Sequence, residues 1–238
     1  MSRLRPEAAP SFVLVPELGE PGDQLVLEAD ESHYVARVCR ARAGEGLTAT
    51  DGRGGLARLT LLEVGARVTA RLDSIERQER LREATMWCGA PEGKRADWLV
   101  EKLAELGIAT LQPLDCARSS WHGGAARLDR WRRLAVAALR QSRRSRLMRI
   151  EPPRPLRELE GAIPKQAVRW LADPGGAPAA GPPPAISIAA IGPAGGFDPS
   201  ELDFLTNLGF RSISLSDGRL RSETAAIAWA AWWASAAG

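Results

Sequence analysis

Two segments near the carboxyl end hold residue types from which a ligand cleft is built: Ile191–Phe197 (IGPAGGF) and Leu215–Ala226 (LSDGRLRSETAA). Gly192, Gly195 and Gly196 carry no Cβ, so the backbone there can take positive φ and come close to a ligand. Pro193 removes one donor and stiffens the turn. Ser222 reads as the N-cap of the last helix, with Glu223 in its first turn. A lone Gly-Pro-x-Gly-Gly is equally an ordinary tight loop. Here there are two such segments, each after a strand-like run and before a helix, which points to a crevice at the carboxyl ends of parallel strands.

The densest charge lies in the run 127–149, which holds Arg130, Arg132, Arg133, Arg140, Arg143, Arg144 and Arg146, with Asp129 as its one acid. Charge runs usually form a solvated helix face. A basic stripe without acids laced into it also attracts a polyphosphate backbone, with contacts that weaken as salt rises. Other chemistries are missing from the sequence. No phosphate loop of the GxxxxGK[ST] type, no GxGxxG fingerprint and no GxSxG elbow occurs. His33 and His122 stand far apart, and Cys39, Cys88 and Cys116 have no metal-ligand spacing, so neither a metal site nor a hydrolytic triad is expected. His33 reads as a surface histidine, and His122, in a WHGG loop, receives no role.

Stepping outward, residues 11–72 read as a small β-rich domain, with strands at 12–15, 24–27, 46–50, 56–62 and 66–72 and turn signals at Pro21-Gly22, Ala43-Gly44 and Asp51-Gly52. A short helix at 31–41 with Asp30 as N-cap would turn Tyr34, Val35 and Val38 inward and leave Arg37 and Arg40 wet. The charged stretch 76–83 reads as a linker. From 84 onward strands alternate with helices, which implies a mostly parallel sheet. Strands are expected at 85–89, 109–114, 167–172, 185–191 and 211–215, and helices at 96–106, 128–142, 199–208 and 225–237. Residues 152–164 read as a proline-broken connector and 173–184 as a loop. Trp229, Trp232 and Trp233 fall at i, i+3 and i+4, a stripe that suits core or a subunit interface better than base stacking.

Composition bounds the rest. The 238 residues are 45% hydrophobic and 26% charged, enough for a packed core. The net charge is +3, and Lys occurs only at 94, 102 and 165, so the positive charge is nearly all Arg, the better residue for forked phosphate contacts. Scattered cysteines, no apolar signal run in MSRLRPEAAPSF and a last helix shorter than the roughly 20 residues of a membrane span suggest a soluble, cytoplasmic protein.

These residues resemble the bacterial ribosomal small-subunit methyltransferase E family, within the knotted SPOUT class. HYVARVCRARAGEGLTATDGRG (33–54) is similar to its PUA-like RNA-binding domain, and KRADWLVEKLAELGIATLQPLDCARSS (94–120) to the lysine-led helix and strand that open its catalytic domain. RWRRLAVAALRQSRRSR (130–146) resembles its arginine-bearing helix, and IGPAGGF and LRSETAA its two carboxyl-terminal signatures. The resemblance implies an α/β protein. A small PUA-like β-barrel (1–75) and a linker (76–83) would precede a trefoil-knotted SPOUT domain with a mostly parallel sheet (84–238). It implies a homodimer that uses S-adenosylmethionine to methylate N3 of a uridine in 16S ribosomal RNA of the small subunit, without a metal or a membrane. Three positions depart from the pattern: Ala194 and Ala117 replace usual glutamates, and Gly218 takes the place of a usual Arg, with Arg219 one residue later.

On that resemblance, Arg221 is the residue expected to stabilise charge developing on the deprotonating uracil ring. Leu171, Ile191, Leu215 and Leu220 would sandwich the adenine, with Gly192, Gly195 and Gly196 allowing close approach of the main chain. Arg37, Arg40, Arg118, Arg140 and Arg144 are the expected RNA contacts. Two alternatives stand beside this reading: a non-catalytic RNA-binding protein with a degraded pocket, and a methyltransferase acting on another RNA base. The target nucleotide, any general base and the assembly stage of the substrate are not legible.

Overall fold

The computed structural model describes residues 11–92, 94–121 and 124–235, and it divides into two compact units. One runs through Glu79 and adds Leu139–Arg146; the other takes Arg80–Ala138 and continues from Leu147.

The first unit contains β1 (Ser11–Leu14), β2 (Gln24–Val26), α1 (Ala29–His33), β3 (Gly46–Thr50), β4 (Gly55–Val64) and β5 (Val68–Arg77). The strands form one sheet in the order β1-β3-β4-β5-β2, antiparallel except for the β1–β3 pair. Period-two patterning builds its core: Ala57, Leu59 and Leu61 of β4 and Val68, Ala70 and Leu72 of β5 are buried with Val13, Val35 and Leu47. The helix departs from expectation. Asp30 lies inside α1 and Glu28 precedes it without a side-chain cap. A π-helical turn, Tyr34–Val38, then follows. Its wider winding rotates the next residues away from the core. Val38 is accordingly 63% exposed, although Val35 is fully buried. Arg37 and Arg40 are exposed. The linker is also shorter than the charge run suggested, because β5 extends through Arg77 and the next strand starts at Glu83.

The second unit holds β6 (Glu83–Gly89), α2 (Ala96–Glu105), β7 (Thr110–Asp115), α3 (Gly124–Ser142), β8 (Arg149–Ile150) and β9 (Arg154–Pro155). After a 3-10 helix at Leu156–Ala162 come β10 (Val168–Pro178), β11 (Ile186–Ile191), α4 (Pro199–Asn207), β12 (Arg211–Ser214) and α5 (Ser222–Ser235). The last residues of α3, from Leu139, group with the first unit. Strand order is β12-β10-β11-β6-β7-β8, with β9 also on β7, and every pair is parallel.

Both faces of this sheet are covered. Met86 and Cys88 of β6 and Ala189 and Ile191 of β11 pack on one side with Leu99, Leu103, Trp131 and Trp229. Trp87, Ile188 and Ala190 pack on the other with Leu205 and Phe210. Burial of both faces is why these strands read as largely apolar runs. Trp229 and Trp233 are core, and Trp232 is half-buried with its ring edge-on to Trp170, centroids 5.4 Å apart. No helix among the described residues is long and apolar enough to cross a membrane.

Two boundaries differ from the sequence reading. β10 continues to Pro178 by way of an irregularity between Ala172 and Ala177, so the Asp-Pro-Gly-Gly stretch bulges out of a strand rather than starting a long loop. The N–H of Ala225 donates to the carbonyl of Arg221, which puts Arg221, not Ser222, at the cap position of α5. The expected helix end at 236–237 lies outside the described residues, as does His122.

Candidate functional site

Segments following β6, β11 and β12, together with the bulge inside β10, surround one cleft of about 440 Å³. These strands are neighbours in the sheet, and the chain passes from β11 through α4 to reach β12 on the far side of β10. Ligand crevices in α/β sheets form at such reversals. Gly89 makes the close packing possible, because a Cβ there would lie 2.4 Å from the nitrogen of Pro193. The turn after β11 therefore settles directly over the end of β6. Within it, Gly196 has φ +72° and donates its N–H to the carbonyl of Pro193 at 2.8 Å.

Side chains hold that turn from behind. Arg118 donates to the carbonyls of Gly195 (3.0 Å) and Phe197 (3.3 Å). Glu201 accepts from the N–H groups of Ala117 and Asp198, both at 2.8 Å. It completes a capping box with Asp198, which accepts the N–H of Glu201 and starts α4. The bond from Glu201 N–H, with a second from the Ser200 hydroxyl, holds the Asp198 carboxyl below the usual carboxylate range.

Of the residues expected to hold a ligand, Ile191, Gly192, Gly196, Leu215, Leu220 and Arg221 line the cleft. Leu171 and Gly195 do not. Successive residues of a strand point to opposite faces, so Ala172 lines the cleft while Leu171 packs beneath the sheet. The Cα of Gly195 faces Arg118, whose Cβ would lie 3.3 Å from an added methyl. Sequence reading missed Glu92, Asp173, Phe197, Leu202 and Ile213, which also line the cleft. The Asp-Pro-Gly-Gly turn signal directly after a strand could have pointed to Asp173.

The charges around the cleft are mostly matched. Glu223 is 2% exposed and pairs with Arg95, while its second oxygen has no partner among the described residues. Arg221 is exposed and lies 3.5 Å from Glu92. Asp173 accepts from the N–H of Gly175 (2.9 Å) and the hydroxyl of Ser212 (3.3 Å). Burial pushes the thiol of Cys88 far up and that of Cys116 to about 12, so neither is a thiolate at neutral pH.

The arginine run differs from the unlaced stripe expected. Arg130 pairs with Asp97, Arg132 with Asp129, Arg140 with Glu31 and Arg149 with Glu83. Arg140 is half-buried beside the buried Glu31 and lies over the ring of Tyr34, 4.8 Å from its centroid. Arg146 donates to the carbonyls of Arg53 and Gln78. Arg144 is half-buried, and burial lowers its pKa. Arg37, Arg40, Arg140 and Arg144 all belong to the first unit and Arg118 to the second.

A model of the RNA methyltransferase domain matches residues 77–234, and one of the RNA methyltransferase PUA domain matches residues 27–70. The ribosomal RNA small subunit methyltransferase E of Mycobacterium tuberculosis is 30% identical over 236 residues, covering 89% of this chain and 86% of that protein. The enzyme of that name from Synechocystis is 26% identical over 233 residues, covering 92% and 77%. Among solved structures, a ribosomal RNA small subunit methyltransferase E from Neisseria gonorrhoeae bound to S-adenosyl methionine superposes with a TM-score of 0.86 at 24% identity, covering 94% of this chain and 96% of that one. Likeness of that extent in both sequence and fold places this chain in the ribosomal RNA small subunit methyltransferase E family.

Proposed function

We propose that this protein transfers the methyl group of S-adenosylmethionine to N3 of a uridine in 16S ribosomal RNA of the small subunit, acting in the cytoplasm as a homodimer with a knotted catalytic domain. The observation that carries this reading is the convergence on one cleft of the segments after β6, β11 and β12 and the bulge of β10. Its makeup suits the cofactor: apolar walls from Ile191, Phe197, Leu202 and Leu215 for a flat adenine, exposed glycine backbone for polar edges, and Glu92, Asp173 and Glu223 for a cationic donor. The relatives' names supply the substrate class, and the Neisseria structure supplies the cofactor.

When bound, the cofactor supplies an activated methyl group on a sulfonium with a neutral thioether to leave. The protein's part is then chiefly placement. Gly192, Gly196 and the backbone around Leu215 and Leu220 hold the donor. Uracil N3 must lose its proton before it attacks, which leaves negative charge over N3 and the ring oxygens. Arg221, whose backbone caps α5 and which lines the cleft, stabilises that charge with its guanidinium. Its position at the cap ties it to a helix anchored by Trp229 and Trp233. Water accepts the proton.

Calorimetric titration with S-adenosylmethionine and mass spectrometry of ribosomal RNA nucleosides, with the gene present and deleted, test the proposal together. Binding plus a 3-methyluridine that disappears on deletion is expected. No binding at millimolar cofactor would favour a non-catalytic RNA-binding protein, and loss of a different methylated base would move the activity to that base.

A further inference from the structure

We infer that Arg219 grips the phosphate of the nucleotide being methylated; the inference rests on the methyltransferase reading of the cleft. Five charged residues line that cleft: Glu92, Asp173, Arg219, Arg221 and Glu223. Four have partners. Glu223 has Arg95, Glu92 and Arg221 have each other, and Asp173 takes hydrogen bonds from Gly175 and Ser212. Arg219 alone of the five makes no hydrogen bond or ion pair with any described residue, and it is exposed.

The turn that carries Arg219 is tied at its base and open at its tip. Ser214 donates its hydroxyl to the carbonyl of Ser216 at 2.9 Å, and the Ser216 hydroxyl oxygen accepts the N–H of Gly218 at 3.2 Å. A Cβ on Gly218 would meet nothing within 4 Å, so the tip has space around it. Leu220, next in the chain, is half-buried on the cleft wall, and Arg221 follows. A long cationic side chain thus extends from an anchored turn, one residue from the wall of the donor site and two from the proposed anion stabiliser. Arginine offers a planar fork that matches two phosphate oxygens at once. Exposure favours a polymer phosphate reaching the cleft from solvent over the carboxylate of an enclosed cofactor, the other anion within this chemistry.

The test compares wild type, Arg219→Ala and Arg219→Lys as full-length proteins. Cofactor affinity is measured by calorimetry without RNA, RNA affinity by direct binding to 16S ribosomal RNA across a salt series, and turnover by steady-state methylation. Arg219→Ala should raise the Kd and KM for RNA about tenfold and lower the salt slope by about one, with cofactor Kd within about twofold of wild type. Arg219→Lys should restore the salt slope but not the full affinity, because a point charge replaces the fork. Unchanged RNA affinity and salt slope in Arg219→Ala would overturn the assignment. Weakened cofactor binding with RNA binding intact would overturn it too, giving Arg219 to the cofactor carboxylate. A wild type that binds RNA but neither binds nor uses the cofactor would sink the methyltransferase reading by itself, and with it the assignment to a nucleotide being methylated.

Discussion

The arginine run from 127 to 149 and the turn from 215 to 221 give opposite lessons about charge. The run is dense in sequence, yet folding brings acids from other elements to it: Asp97 to Arg130, Glu31 to Arg140 and Glu83 to Arg149. The turn has two arginines, Arg219 and Arg221, and one acid, Asp217, which accepts the Ser216 hydroxyl. One arginine has an exposed partner and the other has none among the described residues. Availability of a guanidinium is therefore set by what folds against it and not by how many lie nearby. A long helix with much surface meets many neighbours, whereas a turn at the end of a strand meets solvent and ligand.

The largest effect should separate the two regions in one assay. Arg221→Ala is expected to lower kcat by roughly 100- to 1,000-fold, the usual loss when one preorganised charge stabiliser is removed. Cofactor affinity should stay within about threefold, since the lost contact acts on the transition state. Arg132→Ala in α3 removes an exposed pair with Asp129 at 3.3 Å and should change kcat by less than about twofold. Equal losses in both variants, read by steady-state methylation, would break the contrast between run and turn.

Next in size is a stability effect within the first unit. Arg140→Ala leaves Glu31 buried without its partner and should cost about 3 kcal/mol in urea unfolding, whereas Arg132→Ala should cost under about 1 kcal/mol. Glu31 also gives a signed pH dependence. Burial raises its pKa above the ordinary 4.5 despite the bond from Arg140. Just above pH 4.5 the folded chain therefore holds a proton that the unfolded chain has released. Stability should fall as pH rises through that window, and Glu31→Gln should flatten this part of the profile relative to wild type. Melting curves at closely spaced pH values measure both slopes. Parallel profiles for the two proteins would mean that folding leaves the Glu31 pKa unchanged, as for an exposed carboxylate.

Legibility in the sequence follows the same divide between local pattern and distant partners. The parallel sheet was readable because strands buried on both faces are mostly apolar, as in Ile186–Ile191, where Ser187 is the one polar residue. The two signature loops were readable because Gly and Pro carry their conformational reasons with them. Leu171 was misplaced by one residue, because an all-apolar strand does not say which of its faces meets the cleft. Asp173 was missed because a bulge keeps β10 going beyond residues that read as a loop. Val38 turned outward on a π-helical turn that no spacing rule announces. The acids that answer α3 could not be seen, since their pairing spans stretches such as 31 to 140.

The smallest expected effect sharpens the contrast most. Arg221 and Glu92 are 3.5 Å apart with side chains 58% and 73% exposed, and water screens such a pair to roughly 0–1 kcal/mol. Glu92→Gln should thus leave the unfolding free energy within about 0.5 kcal/mol of wild type. It removes a negative charge from the rim that RNA must approach, so affinity for 16S ribosomal RNA should rise about two- to threefold at low salt, and the gain should fade as salt screens it. The value of kcat should not change if the cap of α5 alone sets the position of Arg221. A tenfold fall in kcat with RNA affinity preserved would instead show that Glu92 holds the guanidinium in its working place. The turn would then obey the rule of the helix, with a charge made useful by its partner, and of its two arginines Arg219 alone would be without a partner among the described residues.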